Sequence, residues 1–203
     1  SPAVAARCSY TRAGVGAVVS QNITDPMLGP LALDLMAGGM NAQEAISGVR
    51  DLGQHIEYRQ VLAIDRQGNT AIHSGPNSQG IWTQAMGKDV ASGGNLLAND
   101  TVPSAIVTAF QNSKGHLGDR LISAIQAGLH AGGEVGPVHS AGMQIADKQN
   151  WPLVDLRVDW TEGCPINELA TAWAVYKPQM DAYVQRAVDP RQAPSYGVPG
   201  DEG

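Results

Sequence analysis

Three observations predict a layered α+β domain for this chain. Strand-like and helix-like stretches come in runs rather than in strict alternation, which argues against βαβ units. Gly14 to Asn22 (GVGAVVSQN) is small and β-branched and ends in polar residues, as in a buried strand that delivers Ser20, Gln21 and Asn22 to one end of a sheet. Arg59 to Asp65 and Thr70 to His73 flank the turn Arg66-Gln67-Gly68-Asn69, the pattern of a hairpin.

The remaining elements follow in order. Asp25-Pro26 opens a helix that carries Leu31, Leu35 and Met36 on one side and stops at Gly38-Gly39. Asn41 and Glu44 have capping-box spacing, so a second short helix is expected over 42–49. His73 to Lys88 is rich in Gly and polar residues and reads as a long loop over one end of the sheet. Val90 to Leu97 reads as a short strand containing a glycine pair. Helices are expected over 103–111, capped by Thr101 or its neighbour, and over 120–131, where Leu121, Ile122, Ile125 and Leu129 keep helical spacing. Val138 to Ala146 and Pro152 to Val158 form a second hairpin around Asp147-Lys148-Gln149-Asn150. A last helix covers Ile166 to about Arg186, kinked or split by Pro178. From Asp189 onward Pro, Gly and acidic residues dominate, and a draped or mobile tail is expected.

Composition narrows the function. A chain of 203 residues, 43% apolar and 16% charged, suits one domain with a sizeable core. A net charge of -6, with only 13 Lys and Arg, argues against nucleic acid. No apolar run approaches the ~18 residues of a membrane span. Cys8 and Cys164 have no metal-ligand spacing, and two distant cysteines suit a reducing, cytoplasmic setting. Cys8, with Arg7 beside it, is alternatively a thiol nucleophile. The five histidines show neither HxxxH nor HxH spacing, so no metal or other cofactor is expected.

Candidate chemistry is spread along the chain. Ser1, when its amine is free, carries a hydroxyl nucleophile and a base of pKa near ~8 on one residue. It is otherwise simply where a protease cut. Gly93-Gly94-Asn95 lets the backbone approach a ligand and offers a carboxamide to an oxyanion, or it marks a β-bulge. Arg59 in Glu57-Tyr58-Arg59-Gln60 either orients a carboxylate or sits in a strand-edge ion pair. Asp155 and Arg157 share one face of their strand, as surface residues or as anchors of a site. GVGAV at Gly14 to Val18 lacks the third glycine and the following helix of a dinucleotide site.

Taken in order, SPAVAARCSYTRAGVGAVVSQNITDP, LALDLMAGGMNAQEAI, EYRQVLAIDRQGNTAIHSG, GGNLLAND, HSAGMQIA and PLVDLRVDW resemble the family called domain of unknown function 1028, grouped with the N-terminal-nucleophile hydrolases. The resemblance runs from Ser1 to about Trp173. It implies a four-layer αββα sandwich of the N-terminal-nucleophile type over residues 1–188, with 189–203 as a Pro/Gly-rich tail. The resemblance further implies a leading strand, turn and strand before the segment that matches Ser1, expected to lie outside this chain. Two readings follow: either a precursor cuts itself before Ser1 and its short leading fragment stays bound, or the start at Ser1 is incidental.

The expected function is hydrolysis of a small non-peptide or cyclic amide by such a nucleophile. Ser1 and Asn95 are the expected catalytic residues, and Gln21, Asn22, Arg59, Gly94, Asp155 and Arg157 the expected substrate contacts. A homodimer is expected from the apolar inner faces. The alternative is a non-catalytic module on the same frame that binds a small molecule or a protein.

Overall fold

The computed structural model describes residues 1–198. A short helix α1 (Ala5–Cys8) leads into β1 (Ser9–Arg12) and β2 (Gly16–Asn22). Helices α2 (Leu28–Ala37) and α3 (Ala42–Leu52) follow, then β3 (Arg59–Asp65) and β4 (Thr70–Ser74). These four strands form one antiparallel sheet in the order β1-β2-β3-β4. Next come the hairpin β5 (Ile81–Gly87) and β6 (Val90–Leu97), the helices α4 (Val102–Asn112) and α5 (Leu117–His130), and the hairpin β7 (Ala141–Ile145) and β8 (Val154–Val158). Helix α6 (Pro165–Tyr176) ends at a 3-10 turn containing Pro178, and α7 (Met180–Val188) resumes beyond it. The chain is therefore mixed α/β with antiparallel sheets. Pro178 splits the last helix as its missing donor requires.

Register explains how the sheet is covered. Val18, Ser20, Val61, Ala63 and Ala71 are cross-strand neighbours on one face and are 0–2% exposed. They bury against Leu28, Ala32, Leu33, Met36, Ile46 and Val49 of α2 and α3. By the two-residue alternation of strands, Ala17, Val19, Gln21, Gln60, Leu62 and Ile64 point the other way. That second face meets β6 through Leu62 and Gln60, and β7 through Thr11, whose hydroxyl donates to Gln144 Oε1 at 3.0 Å. Helices α4 and α5 cover β5–β6 around Val90, Val107, Phe110 and Ala124. Helices α5, α6 and α7 cover β7–β8 around Ile122, Met143, Val154, Leu169 and Trp173.

Local signals account for most boundaries. Asn41 accepts from Glu44 N while Glu44 accepts from Asn41 N, a complete capping box, and α3 runs on to Leu52. Asn41→Ala is expected to cost about 1 kcal/mol, read as a lower urea midpoint with an unchanged slope. Asn99 rather than Thr101 supplies the side-chain acceptor ahead of α4, and His116 Nδ1 caps α5 by accepting from Gly118 N. Asp119 instead accepts from Lys177 Nζ and Trp173 Nε1, the bonds that hold its carboxyl below the usual range.

One expectation fails. His73 to Lys88 is not a long loop: β4 extends to Ser74, and Ile81–Gly87 is a strand paired with β6. Trp82, Gln84 and Met86 face outward from it, so its sequence lacks the apolar alternation of a half-buried strand. Non-local pairing with β6 makes it a strand. Of the expected tail, 199–203 lie outside the described residues. Arg186 Nη2 donates to Pro194 O and Ser195 O, and its guanidinium lies 3.7 Å from the Tyr196 ring centroid. The tail is tied to α7 at least that far.

Candidate functional site

The polar residues at the end of β2 gather where the first sheet meets β5–β6. Gln21 and Gln60 are cross-strand partners, as are Gln60 and Ser74. Gln21 Nε2 donates to Gln60 Oε1 at 2.6 Å and to Gly93 O at 3.0 Å. Gln60 Nε2 donates to Ser74 Oγ at 2.9 Å and to Gly94 O at 3.4 Å, and Ser74 Oγ donates to Gln84 Oε1 at 2.8 Å. Gln60 is 0% exposed, so this chain of bonds also satisfies an amide that burial would otherwise penalise.

The glycine pair serves this junction. A Cβ on Gly93 would lie 3.2 Å from Leu62 Cδ2 and 3.3 Å from Gln60 Nε2. The close approach that Gly93 permits is therefore to β3. Asn95 lies where the β5–β6 register shifts between Ile81 and Thr83, so the bulge reading of this stretch holds, and Leu96 takes the left-handed conformation with φ 52°. Among the described residues, no hydrogen bond engages the half-buried Asn95 side chain. Its carboxamide is free to meet a ligand.

Asn22 and Arg59 flank the same end as cross-strand partners, but their hydrogen bonds go to backbone. Asn22 Nδ2 donates to Tyr58 O and its Oδ1 accepts from Gln79 N at 3.1 Å. Arg59 Nη1 donates to Ile23 O, and its buried Nε has no partner. Among the described residues Arg59 has no strand-edge ion-pair partner. Asn22 and Arg59 lock three loop segments together around the site.

Ser1 is placed by the β7 side of the molecule. Its carbonyl accepts from Ser140 Oγ at 2.6 Å, and Ala3 N donates to Asp159 O at 2.8 Å. Glu134 forms a backbone bridge with Leu97, two residues past Asn95. Desolvation pushes the Glu134 carboxyl up in pKa, and the positive Ser1 amine pulls it the other way.

Asp155 and Arg157 do not join the Gln21 group. Asp155 Oδ2 accepts from Gln144 Nε2 at 3.3 Å. Arg157 pairs with Asp159 through two bonds of 3.1 and 2.9 Å. Both residues are exposed, and an ion pair in that setting contributes roughly 0–1 kcal/mol. Cys8 and Cys164 are both free, and the Cys8 thiol lies 3.8 Å from Thr24 Oγ1.

Gln60 and Ser74 were absent from the expected site. In Arg59 to Asp65 both parities are apolar, so both faces are buried, and a glutamine sharing the face of Leu62 and Ile64 must be satisfied internally. That signal was available. A hollow of about 400 Å³ beside Met36, Asn41, Asp65 and Arg66 opens at the other end of β3 and carries none of the expected residues. Among the described residues, no cluster of three His, Cys, Asp or Glu could hold a metal, and no helix is long and apolar enough to cross a membrane.

Comparison with known proteins gives a family but no activity. No curated protein matches the chain. The crystal structure of protein SPO2555 from Silicibacter pomeroyi, described by the same family model, is similar at 26% identity and a TM-score of 0.80. That similarity covers 87% of this chain and 79% of the other. The model described as "Family of unknown function (DUF1028)" matches residues 1–169, and on that match the chain belongs to this family.

Proposed function

We propose that this protein hydrolyses a small non-peptide or cyclic amide, with Ser1 as an N-terminal nucleophile, on a four-layer αββα frame. The observation that carries the proposal is the half-buried Asn95 carboxamide, unbonded among the described residues at the β6 bulge, next to the glycine carbonyls that hold Gln21 and Gln60. The layer order supports the frame: α2 and α3 lie outside the four-stranded sheet, the two hairpins inside it, and α4 to α6 beyond them.

In the proposed reaction the Ser1 amine takes the hydroxyl proton as Oγ attacks the carbonyl carbon. Asn95 Nδ2, with neighbouring backbone N–H groups, holds the oxyanion. The tetrahedral adduct collapses, the C–N bond breaks, and the protonated amine returns its proton to the leaving nitrogen. Water then cleaves the acyl ester and frees Ser1. Gln21 and Gly94 line the substrate space, and Asn22 and Arg59 hold the loops around it. Asp155 and Arg157 take no step in this scheme.

The scheme needs a free amine on Ser1, and the chain's origin can be tested directly. Protein expressed from the full gene and purified natively is expected, by intact-mass spectrometry, to contain a species beginning at Ser1 with a short co-purifying fragment. A single uncut chain continuing upstream of Ser1 would remove Ser1 as nucleophile. The second reading, a binding module, is favoured by the hydrogen-bonded Gln21–Gln60–Ser74–Gln84 chain, which builds a rigid polar surface without a base of its own. Binding without turnover of any small amide would select it.

A further inference from the structure

We infer that Gln60 is a positioning residue that turns the Gln21 carbonyl toward the substrate space, so that the site selects ligands carrying an N–H donor. The substrate class is then a primary or secondary amide or an imide, in preference to an N-alkylated one. The inference rests on the amide-hydrolase reading only for the kind of ligand.

The orientation of both amides follows from their partners. Gly93 O and Gly94 O accept only, so the atoms facing them are Nε2 of Gln21 and Nε2 of Gln60. Gln60 Oε1 must then face Gln21, which it does at 2.6 Å. Both N–H groups of Gln21 are thereby used. Gln21 Oε1 has no donor among the described residues, and it is not one of the buried polar atoms left without a partner. A solvent-reachable acceptor on a half-buried side chain, fixed from behind, requires a donor from solvent or ligand. A flip would set Gln21 Oε1 against two acceptors. The network prevents that, and ordinary surface glutamines have no such constraint.

A ligand that reaches Gln21 through its carbonyl oxygen therefore meets an acceptor and is rejected, whereas one presenting N–H is held. Such a neutral hydrogen bond is worth about three- to tenfold in affinity. The probes are glutarimide and N-methylglutarimide, which differ only in the imide hydrogen. Dissociation constants come from NMR titration of nitrogen-15-labelled protein, following the side-chain amide signals of Gln21 and Gln60. The wild type is expected to prefer glutarimide by about three- to tenfold. Gln21→Met and Gln60→Met are expected to bind the two alike. Gln60→Glu, read below the pH at which its buried carboxyl ionises, keeps an acceptor facing Gln21 and a hydroxyl donor facing Ser74 Oγ and Gly94 O, and is expected to retain the preference, which a merely structural Gln60 would not predict.

Should Gln60→Met fail to fold, Gln21→Met still decides the matter, because Gln21 is only half-buried. Equal binding by wild type, or no binding of either probe, overturns the inference. So does a preference that persists in Gln21→Met, since the methyl group is then excluded by shape alone. Ring opening of glutarimide is scored separately by mass. Selective binding without ring opening contradicts hydrolysis and leaves this inference standing.

Discussion

Replacing Asp65 by alanine is expected to destabilise the protein by about 2–4 kcal/mol, because the buried Ala42 N–H and the part-buried donors of Gln67 and Asn69 lose their acceptor at once. Asp65 is 6% exposed and closes the β3–β4 turn. Its Oδ1 accepts from Gln67 N at 2.9 Å and Asn69 N at 3.0 Å, and its Oδ2 accepts from Ala42 N at 3.1 Å. Asn69 Nδ2 adds a bond to Oδ2 at 3.0 Å. One carboxylate thus holds both the hairpin turn and the first residue of α3, next to the capping box at Asn41.

The same residue sets a pH dependence. Burial pushes the Asp65 pKa up, but the bonds from Asn69, Ala42 and Gln67 outweigh it and hold the folded value below the ordinary one. The unfolded chain therefore binds the proton more readily, and stability falls as the pH falls. The Asp65 contribution is fully present above an unfolded pKa of about 3.9 and is lost as pH drops through the lowered folded value. Urea denaturation of wild type and Asp65→Ala is expected to show a constant gap above about pH 5 that narrows below pH 4. A gap of under 1 kcal/mol, or one that widens on acidification, would show that water replaces these bonds freely.

Much of this frame is legible in the sequence because local chemistry decided it. The hairpin over 59–74 follows from its β-branched flanks and Gly68, which takes φ 85° in the turn. The helix pair over 28–52 follows from the Gly38-Gly39 stop and the Asn41 box. Strand β5 was lost for the opposite reason: its outward residues are exposed, and pairing with β6 decides its state. The site was half legible. Gln21 and Gly94 are polar or special residues at strand ends, where function is sought first. Gln60 is recognised only once register sets it between Gln21 and Ser74. Asp155 and Arg157 show the limit of a same-face argument, since their partners are Gln144 and Asp159 and neither reaches the Gln21 group.

Ser1→Ala is expected to lower turnover of a small amide by at least about 10³-fold, the loss that follows removal of a nucleophile. The fold should not change. Ser1 is exposed, and its bond to Ser140 uses the backbone carbonyl, which alanine keeps. Asn95→Ala should leave binding near wild type and cost about 10²-fold in kcat, as oxyanion donors act mainly in the transition state.

The most direct test of the central claim compares wild type and Ser1→Ala, both with a free residue-1 amine, for ring opening of cyclic imides and lactams by mass spectrometry. Product is expected from wild type, none above background from Ser1→Ala, and matching circular dichroism from the two proteins. Equal product from the two proteins, or no product from wild type with any of the amides, would contradict that claim.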